Sequence, residues 1–363
     1  MAAARTAWRA GRLHDLLGVQ HPIVQGPFGG GLSAVRLTAA VSNAGGLGSY
    51  GAHILDADAI TDLVARLYLA TDRPFAVNLW IPQPGEEKQL NAAEHEAQVA
   101  LLRPYLAELG LPEPPYVATS PSHDFTCQVE ALLAVAPPVI SFVMGVPSPE
   151  IIDEAHRSGT LVFGTATTVA EAVALADAGV DAVVASGSDA GGHRGAFLAP
   201  VGESLVGTMA LIPQVVDAVE VPVIAAGGIA DARGIAAALM LGADGVQLGT
   251  AFLGTHESGA SAVHKAELTG PNAATTVLTR VFTGRTARGI PNRFVREMTP
   301  HEATLPHYPV QNALTAPIRQ EANRRGMADY IHLWAGQAAA LTRPAGAAEL
   351  VASLVRDTDA LLG

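Results

Sequence analysis

Eight short apolar runs, separated by alanine-rich stretches, constrain the fold of this chain more than any other feature. The runs that start at Val139, Thr160 and Asp181 follow one another at intervals of 21 residues. Such an interval accommodates one strand, one helix and two loops, which is typical of βα units around a parallel sheet. We predict strands over His21–Gly26, Gly46–Tyr50, Phe75–Leu79, Val139–Val143, Thr160–Gly164, Asp181–Ala185, Val221–Ala225 and Asp244–Leu248.

Helix-terminal signals lie between these runs. Ser148 precedes a proline at the first helical position, and Thr168 with Glu171 has the spacing of a capping box. Asp231 can cap the helix that runs through Ile235 to Gly242. An α/β fold follows from this agreement. Eight strands favour a closed (β/α)₈ barrel, or TIM barrel, and an open doubly wound sheet is the alternative.

Two segments depart from the repeat. Residues 82–138 are long, polar and rich in proline, and predict an enlarged loop after the third strand with a helix over Glu86–Leu109. Beyond residue 269 the strand rhythm stops. We therefore predict a barrel domain over 1–269, including the insertion 82–138, and a mainly helical C-terminal extension over 270–363 that packs on the barrel.

Composition excludes several classes of protein. The net charge of −12 argues against a nucleic-acid partner, because binding phosphate backbones needs clustered Lys and Arg. No apolar run approaches the ~18 residues of a membrane helix, and no Cys/His spacing indicates a metal site. The single cysteine, Cys127, cannot form an internal disulfide and is expected to be buried. A cytoplasmic protein is expected.

The loop after the sixth predicted strand carries the strongest candidate for catalysis. It reads Ala185-Ser-Gly-Ser-Asp-Ala-Gly-Gly-His-Arg-Gly195 and presents one imidazole, His193, among glycines that let a backbone approach a ligand closely. Histidine gains or loses a proton near neutral pH, so His193 is the candidate acid or base. Arg194 is a candidate for holding an anionic substrate, or a surface ion-pair partner. Asp189 could orient the imidazole or cap the turn.

The ends of the last two predicted strands suit a phosphate group. They read Ala226-Gly227-Gly228 and Gln247-Leu248-Gly249-Thr250. Both can offer backbone N–H groups to an anion, and barrels commonly hold phosphate after strands seven and eight. Neither carries Lys or Arg, so amides and dipoles would hold the group. The alternative is that these glycines only make tight turns.

Amide side chains end the first and third predicted strands. Gln25 precedes Gly26, Pro27 and Phe28, and Asn78 lies near the end of the third run. Each amide can donate and accept hydrogen bonds, which suits the edge of an isoalloxazine ring. The alternative is that each amide binds loop backbone.

With these residues in view, the chain resembles the nitronate monooxygenase family of FMN-dependent TIM-barrel enzymes, formerly called 2-nitropropane dioxygenases. The resemblance extends from about Pro22 to Phe294. Its motifs are Gln25-Gly-Pro27, Val41-Ser-Asn-Ala-Gly-Gly-Leu-Gly48, Asn78, Ala190-Gly-Gly-His-Arg-Gly195, Ala225-Ala-Gly-Gly-Ile229, Gln247-Leu-Gly-Thr250, Thr283-Gly-Arg285 and Ala287-Arg-Gly289.

The resemblance implies FMN as cofactor and His193 as the catalytic histidine. The cofactor-binding residues it implies are Gln25, Gly26, Pro27, Asn78, Ser186, Gly191, Gly227, Gly228, Gln247, Leu248, Gly249 and Thr250. Phe28 stands where many members carry methionine, and Ser186 where some carry glutamine. Phe28, Arg194 and Tyr308 are weaker candidates for substrate contact.

The resemblance also implies the reaction: oxidation of alkyl nitronates, and of nitroalkanes if His193 removes their α-proton, by O₂ to a carbonyl compound and nitrite. The implied partners are a small-molecule substrate and O₂, and a homo-oligomer is a further expectation. An FMN-dependent NAD(P)H reductase acting on enoyl thioesters or quinones is the alternative, since such enzymes look similar over the same motifs. A phosphate-binding barrel without flavin is a third reading.

Overall fold

The computed structural model describes residues 7–116 and 124–363, and within them all eight predicted strands form. From the second to the eighth, each barrel strand pairs in parallel with the next barrel strand, and the eighth pairs with the first. A parallel bridge between Val24 and Leu47 joins the first two strands and closes the ring. The barrel strands are Ile23–Gln25, Gly48–Gly51, Phe75–Trp80, Val139–Val143, Leu161–Ala166, Ala182–Ser186, Val223–Ala226 and Gly245–Leu248.

Helices surround this ring, and the predicted TIM barrel is confirmed. The α-helices are Arg12–Leu17, Val35–Asn43, Ala57–Ala70, Ala92–Leu109, Phe125–Val135, Pro149–Arg157, Val169–Asp177, Thr208–Val216, Ala232–Met240, Thr250–Leu253, Ala262–Thr269, Arg293–Met298, Val310–Arg325 and Ala347–Leu362. Short 3₁₀ helices lie at Ala7–Arg9, Val201–Glu203, Pro271–Ala274, Thr299–Thr304, Ala328–Tyr330 and Ala339–Leu341. No helix in the described part of the chain is long and apolar enough to cross a membrane.

The barrel interior is filled by apolar side chains from several strands, as barrels of eight strands require. Leu13 of the first helix packs with Val24, Phe163 and Ile224 in one buried cluster. The helix Arg12–Leu17 thus covers the amino-terminal end of the barrel, so a cavity can open only at the other end.

The chain beyond the eighth strand differs from the predicted helical extension in one respect. Two short strands, Val277–Thr279 and Ala287–Gly289, pair antiparallel with each other, and the second pairs with Gly192–His193. The sequence did not predict this small sheet because three-residue strands carry too little periodicity. The last helix, Ala347–Leu362, packs against Val35–Asn43 and Ala232–Met240 and so fills the outer-ring position after the eighth strand.

The insertion also differs in detail from its prediction. Its helix begins at Ala92 rather than at residue 86, because Asn91 and Glu94 form a reciprocal capping box there. Cys127 is exposed, contrary to expectation. Residues 117–123 of the insertion lie outside the described residues. The division of the chain at residue 269 stays a prediction.

Candidate active site

A cavity of about 390 Å³ lies where the barrel strands end. Thirteen of the sixteen residues singled out from the sequence line it. They are Gly26, Pro27, Phe28, Asn78, Ser186, Gly191, His193, Gly227, Gly228, Gln247, Gly249, Thr250 and Tyr308. The closed barrel brings these side chains together although they are spread over most of the sequence, since all eight parallel strands end at one rim.

Gln25, Leu248 and Arg194 do not line the cavity. Gln25 is fully buried: its Oε1 accepts the Ser49 N–H and its Nε2 donates to the Gly26 carbonyl. Leu248 belongs to the apolar core. Gln25 and Leu248 therefore lie in the protein interior and support the neighbouring residues that line the cavity.

Arg194 has a position that differs from the predicted substrate contact. Its guanidinium is buried and donates to the carbonyl oxygens of Gly187, at 2.7 Å, and Ser186, at 3.0 Å. Burial, and then Arg288, lower its pKa to about 10, so the group stays charged at neutral pH. Arg194 thus stabilises the loop that carries its neighbour, His193. Its side chain points away from the cavity.

One backbone contact and three side-chain contacts position His193. The backbone of His193 pairs with Ala287, and Nε2 lies 2.9 Å from Thr283 Oγ1. The indole rings of Trp80 and Trp334 meet the imidazole edge-on, with centroids 4.9 and 5.3 Å away. Because a hydroxyl can donate and accept, Thr283 holds the ring in either tautomer.

The environment of His193 keeps the imidazole neutral. Burial holds its pKa well below the usual value of 6.5, and the nearby Arg285, His53 and Arg319 lower it further. The charged form is disfavoured because it loses hydration and faces other cations. A neutral imidazole has one nitrogen lone pair, so His193 is available at pH 7 to accept a proton or a hydrogen bond.

Asp189 does not orient this imidazole. Its carboxylate accepts the Thr208 N–H and hydroxyl, both at 2.7 Å, at the start of the helix Thr208–Val216. These bonds and the nearby Arg288 lower the pKa of Asp189, although burial opposes the shift. The carboxylate therefore neither orients His193 nor caps its own turn, and instead joins the His193 loop to Thr208 at the start of a distant helix.

A glycine cradle, which we define as Ala226–Gly228 with Gly249–Thr250, forms one end of the cavity. Gly227 and Gly228 have φ of 108° and 68°, which side chains disfavour. A Cβ on Gly227 would lie 2.7 Å from Thr208 Oγ1, so the tight turn itself requires glycine. None of the described residues lining the cavity is Asp, Glu or Lys. This bare, acid-free surface fits a phosphate held by backbone amides.

Asn78 presents one free hydrogen-bonding atom to the cavity. Its Nδ2 donates to the carbonyl and to the hydroxyl of Ser141, both at 3.0 Å. Both N–H donors are thereby used, which leaves Oδ1 as an acceptor. The side chain therefore combines the two predicted uses of the amide, support of the backbone and exposure to a ligand.

Sequence reasoning missed the wall opposite the barrel. We define the C-terminal wall as the cavity-lining residues Thr283, Tyr308, Asn312, Arg319, His332 and Trp334, of which only Tyr308 was a candidate. Part of the signal was present: the helix Val310–Arg325 places Asn312, Ala316 and Arg319 on one face at a spacing of three to four residues. Nothing local in the sequence shows that this face turns to a cavity. Within the described residues, no group of three or more His, Cys, Asp or Glu could hold a metal ion.

Comparison with known proteins bears on what this cavity does. The family model for nitronate monooxygenase matches residues 10–357. The chain belongs to the nitronate monooxygenase family. A probable nitronate monooxygenase of Staphylococcus aureus (strain Newman) is 39% identical over 356 residues, which cover 98% of this chain and 99% of that protein. Family membership makes the chain an oxidoreductase.

Two solved structures match this chain in fold and over nearly its whole length. A nitroalkane oxidase from Streptomyces ansochromogenes is 40% identical, covers 97% of this chain and 100% of its own, and has a TM-score of 0.87. FabK from Thermotoga maritima is 28% identical, covers 97% of both chains and has a TM-score of 0.75. The match therefore includes the C-terminal wall as well as the barrel.

Proposed function

We propose that the chain oxidises alkyl nitronates with bound FMN and O₂, and releases a carbonyl compound and nitrite. The observation that carries this proposal is the placement of His193, half-buried and held by Thr283 and two indoles, in a cavity whose other end is a glycine cradle. Both the family and the nitroalkane oxidase structure support this reaction class. The proposed partners are a small-molecule substrate and oxygen; a homo-oligomer and a cytoplasmic location stay predictions.

The residues present fit FMN. The glycine cradle would take the phosphate on backbone N–H groups, and Thr250 adds a hydroxyl. Gly26, Pro27 and Asn78 would lie along the ring, with Asn78 Oδ1 as an acceptor for a ring N–H. When bound, FMN supplies the electron acceptor for the oxidation and the site at which oxygen is reduced.

His193 would handle the proton of the substrate. With a neutral nitroalkane, its unprotonated nitrogen would remove the α-proton and so generate the nitronate in the site. With a nitronate already deprotonated, the same ring would orient the anion by a hydrogen bond. Thr283 and the flanking indoles of Trp80 and Trp334 keep the ring in place for either task. Burial by these groups also excludes water from the reacting carbon.

An FMN-dependent NAD(P)H reductase of enoyl thioesters or quinones is the second candidate. The structural match to FabK over 97% of both chains favours it. The two candidates differ in what reduces the flavin: the nitronate itself in the first, and a nicotinamide in the second.

An anaerobic visible spectrum distinguishes them. The purified, FMN-loaded protein is mixed with ethyl nitronate in the absence of NAD(P)H. The first candidate predicts a change in the flavin bands, followed by nitrite when air is admitted. Flavin bands that respond to NADPH and are insensitive to the nitronate would select the second candidate. A protein that takes up no FMN would exclude both.

A further inference from the structure

One face of the helix Val310–Arg325 forms part of the cavity surface. Asn312, Ala316, Arg319 and Gln320 all line the cavity, at intervals that place them on the same side of an α-helix. Arg319 is the only arginine, and the only permanent cation, among the described residues that line it.

Every described contact of Arg319 is with a neutral group. Its Nε donates to Thr315 Oγ1 at 3.2 Å. One terminal nitrogen donates to the carbonyl and the side-chain oxygen of Asn312, at 2.7 and 2.8 Å. The other, Nη1, lies 3.4 Å from His332 Nδ1. No ion pair of Arg319 with a described residue is found, and no described carboxylate lines the cavity.

The charge of Arg319 is therefore not compensated by any carboxylate in residues 7–116 and 124–363. Burial lowers its pKa to about 10, so the guanidinium is still protonated at neutral pH. Burial likewise holds the pKa of His332 and of His193 well below the ordinary value, and both rings are neutral. A half-buried cation without a counter-ion is unfavourable, and an anionic ligand would reduce that cost.

Arg319 also has hydrogen-bonding capacity to spare. A guanidinium has five N–H donors, and the four contacts above use four of them. Nη1 therefore carries one N–H without a described partner and one that makes the long contact to His332. A charged N–H of this kind forms a strong hydrogen bond to an anionic oxygen.

We propose that Arg319 is the counter-cation for the two-oxygen anionic group of the substrate, and that it selects the nitronate anion over the neutral nitroalkane. This inference rests on the proposed function, since it names the charge state that the site accepts. A nitronate carries its negative charge on two oxygens of one planar nitrogen, and one of these oxygens can accept the free N–H of Nη1.

The phosphate of the cofactor is a less suitable partner for this cation. Arg319 contacts His332, whose ring lies 5.4 Å from that of Trp334, and Trp334 lies 5.3 Å from the imidazole of His193. The cation is therefore on the side of the cavity where the substrate proton would be handled. The glycine cradle follows the seventh and eighth strands. A carboxylate has the same two-oxygen chemistry as a nitronate, so the experiment must separate the two.

Binding of an unreactive anion tests the charge directly. Propionate and its neutral analogue propionamide are titrated into the FMN-loaded wild-type protein, and the flavin spectrum reports binding. We expect propionate to bind at least about 10-fold more tightly than propionamide, since hydrogen bonds to charged groups are the stronger ones. Equal affinities would overturn the proposal without any variant having to fold.

Variants then locate the charge. R319Q should weaken propionate binding about 10-fold or more, and R319K, which keeps the charge and loses the planar donors, should weaken it less. R324Q is the matched control, because it removes a cation from the same helix at an exposed position paired with Glu321. R319Q with wild-type propionate affinity, or with FMN affinity reduced as much as propionate affinity, would refute the assignment.

Steady-state kinetics show whether the group bound by Arg319 is the nitronate of the substrate or a carboxylate. R319Q should lower kcat/KM for ethyl nitronate at least about 10-fold and should lower that for neutral nitroethane less. Weakened propionate binding with unchanged kcat/KM for ethyl nitronate would overturn the assignment to the nitronate group. If the wild-type protein oxidised no nitronate while R319Q still lost propionate, the proposed function would fail and the anion site would stand.

Discussion

Replacement of Gly191 by alanine should open the junction between the His193 loop and the C-terminal segment that covers it. A Cβ at Gly191 would lie 2.4 Å from the backbone carbon of Ala335 and 2.4 Å from the backbone nitrogen of Gly336. Both neighbours are main-chain atoms and cannot move aside as a flexible side chain would. The added methyl group must therefore push the two segments apart.

The size of the effect follows from these distances. Ordinary contact begins at 3.4 Å, so the separation has to grow by about 1 Å. Two hydrogen bonds cross the same junction, from Gly336 N–H to Thr250 Oγ1 and from Gln337 N–H to the Asp189 carbonyl, each 2.9 Å long. Losing both at roughly 1 kcal/mol each, with ~1–3 kcal/mol for overpacking, gives about 3–5 kcal/mol.

Part of this free energy should appear as weaker cofactor binding, because Thr250 belongs to the glycine cradle. We expect the dissociation constant of FMN to rise at least about 10-fold, at 1.4 kcal/mol per factor of ten, and Tm to fall. Flavin fluorescence titration and thermal unfolding measure both. The control is Gly202→Ala, where nothing lies within 4 Å of the added atom. Wild-type FMN affinity and Tm in Gly191→Ala would refute the reasoning.

Three further predictions concern the proton, the cradle and pH. His193→Asn should keep FMN bound and slow flavin reduction by a neutral nitroalkane ~10²-fold, measured by stopped flow; near-normal reduction would remove His193 from the mechanism. Gly228→Val should yield protein without FMN, because φ is 68° and a Cβ would lie 3.1 Å from Asp189 Cβ; full FMN occupancy after purification would contradict the cradle. Burial lowers the pKa of His264 from 6.5 to about 4, so this ring is neutral when folded and protonated when unfolded at pH 5. The contribution of His264 to the free energy of unfolding is complete above pH 6.5 and is lost as the pH falls toward 4, by up to about 3 kcal/mol. Urea unfolding at pH 7.5 and pH 5 measures this loss, and equal stabilities at the two pH values would argue against a buried neutral ring.

The barrel and the cradle could be predicted because their signals are local. A buried parallel strand is a short apolar run, and all eight predictions agree with the structure to within two residues at each end. The turn after the seventh strand needs glycine for steric reasons, as the φ of 108° at Gly227 shows. Since parallel strands end at one rim, knowing the fold is enough to place this turn beside His193.

The roles of individual side chains could not be predicted in the same way. Gln25 and Arg194 stand next to residues that line the cavity, yet each turns into the protein and binds main-chain atoms. Which way a side chain turns depends on packing against distant segments. Arg319 illustrates the converse: its helix looks like an ordinary amphipathic one. Only the tertiary structure shows that this cation faces the cavity without a counter-ion among the residues for which positions are given.

The C-terminal segment, which the sequence predicts only as a helical extension, contributes a large part of the site. Eleven of the cavity-lining residues lie beyond residue 269. Thr283 holds His193, Arg319 supplies the only permanent charge among the described lining residues, and Gly336 bonds to Thr250 at the cradle. Both ends of the cavity therefore need this segment. Substitutions on the cavity face of Val310–Arg325 can change the accepted substrate without contact with the glycine cradle, so cofactor binding and substrate choice can vary independently in this fold.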